Sequence, residues 1–184
     1  TITVNNVTGG TIAADQTICS GGDPAALTQS VASTGDGVLT YRWEVNTNIA
    51  TPSWSTIGGE TGTTFDPGVL TADAQYRRVT ISTVSGVDCE ALSNVLTVTV
   101  NNVDGGTIDA SQTICSGGDP AAFTSVLDGS GDDPTVAYRW ELNTNLSTPS
   151  WSTIGGATLS TYDASALVAD AQYRRVTIST VTGV

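Results

Sequence analysis

The stretch ADAQYRRVTISTV occupies residues 72–84 and returns, letter for letter, at 169–181. A copied segment constrains the fold more than any single motif, because both copies must find the same surroundings. YRWE recurs at 41–44 and 138–141, again 97 residues apart, while QTICSGGDPAA recurs at 16–26 and 112–122, 96 apart. The odd residue falls where STGDG faces GSGDDP, which predicts a loop there, since insertions collect in loops. A period of about 97 residues exceeds the roughly 20–50 of a solenoid repeat. It matches one small domain of about 100 residues with its own core. The chain therefore reads as a tandem array.

The frame of the repeat is offset. TITVNNV at 1–7 matches TVTVNNV at 97–103, which closes the first copy. The expected division is 1–4 as the last strand of a preceding repeat, 5–100 as one repeat, and 101–184 as a second without its final strand. TVTVNNVDGG runs directly from one repeat to the next, so a semi-rigid rod is expected.

Strand patterns dominate. In VLTYRWEVN (38–46), Leu39, Tyr41, Trp43 and Val45 alternate with Thr40, Arg42 and Glu44, as on a strand with one buried face. SNVLTVTV (93–100) sets Leu96, Val98 and Val100 against Thr97 and Thr99, and RVTIST (78–83) puts Val79 and Ile81 on one side. SGGDP, STGDG, TIGGETG and DPGVL supply the turns. Short Thr/Val-rich strands at this spacing predict an all-β protein built of immunoglobulin-like β-sandwich repeats of about 97 residues. The YRW strand supplies the central tryptophan, and Tyr76 in ADAQYRR is the candidate corner tyrosine. One departure is plain: Arg78 stands two residues after Tyr76, where antibody-type domains carry a cysteine.

The cysteines have their own pattern. Cys19 and Cys115 share the TICSGG context, and Cys89 lies in GVDCEALSN. A Cys19–Cys89 disulfide is expected, with Cys115 pairing with a cysteine beyond residue 184; two buried free thiols are the alternative. A closed loop of that size is worth roughly 4 kcal/mol on the chain-entropy model. Such a bond implies an oxidising, extracellular compartment.

The motifs TICSGGDPAALT, YRW, AQYRRVTIST and GVDCEALSNVLTVTV together resemble the tandem Ig-like or PKD-like repeats of giant surface adhesins of the Bacteroidetes. The resemblance covers the whole chain. It implies a cell-surface stalk or filament module, exported by type IX secretion, in a group that includes gliding-motility adhesins. It brings no catalytic residues.

Composition narrows the chemistry further. The net charge is −12 and all six basic residues are arginines, with no Lys, His or Met. Nucleic acid and anionic membrane surfaces both call for basic patches. Without His there is no Ser-His-Asp or Cys-His arrangement, and without Lys no Schiff base and no Lys–Asn isopeptide staple. No apolar run approaches the ~20 residues of a membrane span. The protein is therefore read as a non-enzyme that binds no nucleic acid, does not insert in a membrane and needs no cofactor.

Three candidate sites remain. Asp128, Asp132 and Asp133 offer hard oxygen ligands for calcium in one loop. Trp54 and Trp151, in TPSWSTIGG, are candidate platforms for stacking sugars, against the alternative of packing on a sheet edge. Glu44 and Glu141 sit beside Arg42 and Arg139 and read as solvated ion pairs. The three arginines of each repeat lie on neighbouring strands; either they pair locally, or they dock an acidic face of an adjacent repeat or parallel filament. The functional reading is a structural stalk module whose partners are neighbouring repeats, with surface glycans possible; the rival is a carbohydrate-binding module of a secreted polysaccharide-degrading protein. Strand exchange between subunits would give the offset frame another origin.

Overall fold

The computed structural model describes residues 1–181 and divides the chain into two compact units, Thr1–Val100 and Asn101–Val184. The first unit carries β1 (Val7–Thr8), β2 (Thr11–Ile12), β3 (Gln16–Cys19), β4 (Gln29–Val31), β5 (Thr34–Gly35), β6 (Val38–Asn46), β7 (Ser55–Ile57), β8 (Ala74–Val84), β9 (Val87–Leu92) and β10 (Leu96–Asn101). The second carries β11 (Val103–Asp104), β12 (Thr107–Ile108), β13 (Ser125–Leu127), β14 (Ser130–Gly131), β15 (Ala137–Asn143), β16 (Ser152–Thr153) and β17 (Gln172–Ile178). There are no helices among the described residues, and the protein is an all-β sandwich in each unit.

In the first unit the main sheet runs β3-β10-β8-β6-β7, with β9 pairing the far half of β8. The opposing layer is made by β1–β5, β2–β4 and the bridges Leu27↔Phe65 and Gly22↔Leu70. Alternation on β6 points Trp43 inward, where it is fully buried, and Ile12, Leu27, Phe65, Tyr76, Leu96 and Val98 close around it. Trp43 and Phe65 lie 5.5 Å apart, and Phe65 and Tyr76 5.6 Å, a tilted stack that aromatic rings favour. The buried indole donates to the Gly62 carbonyl at 3.0 Å, so its polar atom is satisfied.

Strand β8 departs from the expected polarity. Its pairing with β6 sets Tyr76 opposite Val45, Arg78 opposite Trp43, Thr80 opposite Tyr41 and Ser82 opposite Leu39. The inner face of β8 therefore carries Arg78, Thr80 and Ser82, all fully buried, while Val79 and Ile81 face outward. Val79 is buried there all the same, flanked on the outer face by Arg42 on one side and Leu92 of β9 on the other.

The second unit repeats this plan on its own residues. β15 pairs β17 with Trp140 opposite Arg175, and Trp140 is fully buried and donates to the Leu159 carbonyl at 2.9 Å. Phe123 and Tyr162 take the places of Leu27 and Phe65, forming the same bridge between strands. Its sheet is narrower among the described residues, running β16-β15-β17.

Candidate functional site

Two side-chain assemblies recur in both units, one inside the sandwich and one on its outer face. The inner one centres on Arg78. Its guanidinium donates to the Thr63 carbonyl at 3.1 Å and the Gly9 carbonyl at 3.2 Å, and lies over the Tyr41 ring at 4.9 Å. Burial pushes it below the ordinary arginine value. Arg175 does the same, donating to the Ser160, Gly105 and Leu127 carbonyls and the Ser125 hydroxyl, over the Tyr138 ring at 4.7 Å. Arg78 thus ties the β8 sheet to the opposing layer from the position where an antibody-type domain sets its cysteine. The tie works because the planar fork reaches two carbonyls at once while the aromatic face receives the cation.

The outer assembly is a ladder. Glu44 accepts from Arg77 at 2.6 Å and Arg42 at 3.2 Å, Arg42 reaches on to Glu90 at 2.8 Å, and Arg77 stacks over the Trp54 ring at 4.2 Å. In the second unit Arg139 and Arg174 flank Glu141, and Arg174 stacks over Trp151 at 4.2 Å. Hydrogen bonds from Arg174 and then Arg139 hold the Glu141 carboxyl below its ordinary range, and Arg42 does so for Glu90. Glu44 and Glu141 are 7% and 6% exposed, so these are covered carboxylates and not the solvated pairs expected. Nor do three arginines of a repeat share a face. Two are ion-paired on the outer face and the third lies in the core.

Trp54 and Trp151, the candidate sugar platforms, are half-buried, and each has an arginine stacked over its ring, as packing on the sheet would place them.

The acidic loop also has internal partners. Asp132 accepts from the Asn102 amide at 2.7 Å and its side chain at 3.1 Å, and Asp133 caps Thr135. Asp36 does the same for Asn6 at 2.7 and 2.8 Å. The expected calcium set of Asp128, Asp132 and Asp133 does not converge, and among the described residues no acidic or thiol cluster could hold a metal ion. Two of its carboxylates serve to latch chain segments.

That latch was not anticipated from the sequence. Asn5 donates to the Ser82 and Val87 carbonyls and accepts from the Ser82 hydroxyl, while Asn101 makes the same exchange with Ser179. The signal lay in NN recurring with an Asp 30 residues later and a Ser 77 or 78 residues later.

The expected Cys19–Cys89 disulfide is a correction. All three cysteines are free. Cys89 pairs opposite Ser82, beside the segment by which the chain enters the unit. Cys19 ends β3, next to the Gly21–Leu70 contact, at the end where Asp73 holds Val100. Ala74 and Ser82 are eight residues apart on β8, about 26 Å at 3.3 Å per residue, whereas bridged Cα atoms lie within about 7 Å. The partner expected for Cys115 lies outside the described residues.

Two β-sandwich units, each with a buried arginine tying its layers, define the class as a tandem all-β protein. The chain belongs to the family described as a domain of unknown function (DUF8696), whose model matches residues 8–102 and again 104–183. No curated protein matches the chain. Among the described residues, no helix is long and apolar enough to cross a membrane.

Proposed function

We propose that this chain is part of the stalk of a repetitive extracellular adhesin or surface fibre, supplying length and mechanical strength and no catalysis. The observation that carries the reading is the duplication of whole working parts. The same core tryptophan, arginine tie, outer ladder and asparagine latch serve each unit in turn. Within the first unit the chain enters at Asn5 beside Ser82 and leaves at Val100 beside Asp73, at opposite ends of β8. A module in series needs that arrangement, because load then passes through the long axis of the sandwich.

The resemblance to Bacteroidetes surface adhesins supports an exported, cell-surface setting, with type IX secretion and gliding motility as its context. Partners on this reading are neighbouring repeats, parallel filaments and surface glycans. Immunogold labelling of intact source cells with antibody to this chain tests it. Gold strung along threads leaving the cell is the expected result. Label confined to the medium, on soluble enzyme or polysaccharide, would overturn the stalk and favour a carbohydrate-binding module.

A further inference from the structure

We infer that three side-chain rungs, centred on the grip of Asn94 on Ile12, form the load-bearing lock of the first unit and set the force at which it opens. The inference deepens the stalk reading and takes its biological purpose from it. Asn94 accepts from the Ile12 amide at 2.7 Å and donates to the Ile12 carbonyl at 3.1 Å, so one carboxamide holds both backbone groups of a residue 82 positions away. On one side of this grip Asn5 donates to the Val87 carbonyl at 3.2 Å; on the other Asp15 accepts from the Thr97 amide at 2.7 Å, each again across 82 positions. A constant separation means that residues 5–15 and 87–97 run in the same direction and in step.

The main sheet gives that direction. β9 sets Val87 opposite Val84 and Leu92 opposite Val79, and β10 sets Leu96 opposite Tyr76 and Val98 opposite Ala74. The two therefore form one line antiparallel to β8, and residues 5–15 lie along it. The chain arrives at Asn5, held at the Ser82 end of β8, and departs at Val100, held by Asp73 at the other end. Tension drags residues 5–15 one way and residues 87–97 the other, each along its own length. Rungs that cross between two such segments share the load in shear, whereas a hairpin pulled at its open end parts one bond at a time. Load entering at Asn5 also meets these rungs before it reaches β3, which pairs β10 further along.

The central rung has two features suited to this work. Ile12 is only 3% exposed, so water has little access to the backbone groups that Asn94 holds until the segments have already slid. Both bonds of the grip are fixed to one residue, so a slip of a single position breaks both. All three rungs are side chains gripping backbone, so single substitutions remove them and leave the backbone ladders intact.

The test stretches the 184-residue chain between two handles at fixed force, with each opening event assigned to its unit by the length of chain it releases. The readout is the opening rate of the first unit, which governs forced unfolding. Asn94→Ala should raise that rate about tenfold or more, since it strips the partner from two covered backbone groups. Asp15→Ala, at a surface position, should raise it by a smaller factor. Trp54→Ala is the comparison: its ring stacks on Arg77, away from the rungs, so it lowers stability in an unloaded melt while the rate under force stays near native. Native opening rates in Asn94→Ala and Asp15→Ala, or Trp54→Ala opening as fast as Asn94→Ala, would overturn the lock and leave the stalk reading standing. Should Asn94→Ala not fold, Asn94→Asp decides in its place, since it keeps the acceptor for the Ile12 amide and loses the donor to the carbonyl. A native first unit that opens at the smallest applied force would overturn lock and stalk together.

Discussion

Replacing Arg78 with methionine isolates the tie between the two layers of the first unit. Methionine keeps the unbranched stem and fills irregular space, so little packing is lost. What goes is the fork to the Thr63 and Gly9 carbonyls and the cation over Tyr41. Charge-assisted bonds are worth about 1.5–3 kcal/mol each, so the gross loss is about 3–6 kcal/mol. Relief from burying a cation without a carboxylate offsets several kcal/mol of that. The Gly9 carbonyl keeps a second donor in the Thr80 hydroxyl at 3.4 Å, which leaves the Thr63 carbonyl as the main unpaired group. The net expectation is a loss of about 2 kcal/mol, or a fall of roughly 8–16 °C in Tm for a unit of this size. Thermal unfolding of the 184-residue chain, followed by tryptophan fluorescence, should show one transition moving down while the other stays. An unchanged or raised Tm would refute the reasoning, because it would mean the buried cation costs more than its bonds return.

Other perturbations discriminate between the units. Gly9→Ala should lower stability by more than 2 kcal/mol, since an added Cβ would lie 1.9 Å from the Leu92 carbonyl oxygen, whereas Gly105→Ala meets nothing within 4 Å and should be neutral or stabilising by about 0.5 kcal/mol; paired urea melts compare them. The Glu141 and Glu90 carboxyls are held below their ordinary range, so the folded state binds fewer protons than the unfolded one there. Their stabilisation is therefore complete above the unfolded carboxylate range near pH 4.3 and drains away as pH falls through the lower folded values; Glu141→Gln should flatten that part of the stability–pH curve. Trp54→Ala removes a ring stacked on Arg77, and a loss of about 1–3 kcal/mol with no change in retention on immobilised glycans is expected; lost retention at unchanged stability would restore the platform reading.

Much of this molecule was legible in its residues. The period-2 alternation of VLTYRWEVN defines β6 from Val38 to Asn46, and the LTVTV alternation places Leu96, Val98 and Val100 in the core. Repetition of whole segments anticipated repetition of whole units. The ion pairs were half visible, since Arg42 and Glu44 are two apart on one face, but their cover by Arg77 and Glu90 comes from other strands. The cysteine pairing failed because count and context say nothing about which end of a sheet a residue occupies.

Local sequence determined which segments can be strands and which side chains share a face, because both follow from the two-residue period of an extended chain. Tertiary structure decided whether a capable segment becomes a strand and which face is inside. QTIC is β3 at 16–19 because β10 lies beside it and takes up its backbone groups. Arg78 shares a face with Tyr76 by simple alternation, but a cation can occupy the core only where carbonyls converge on it. Those carbonyls come from Gly9 and Thr63, 69 and 15 residues away in the chain, and only the folded sandwich brings them together.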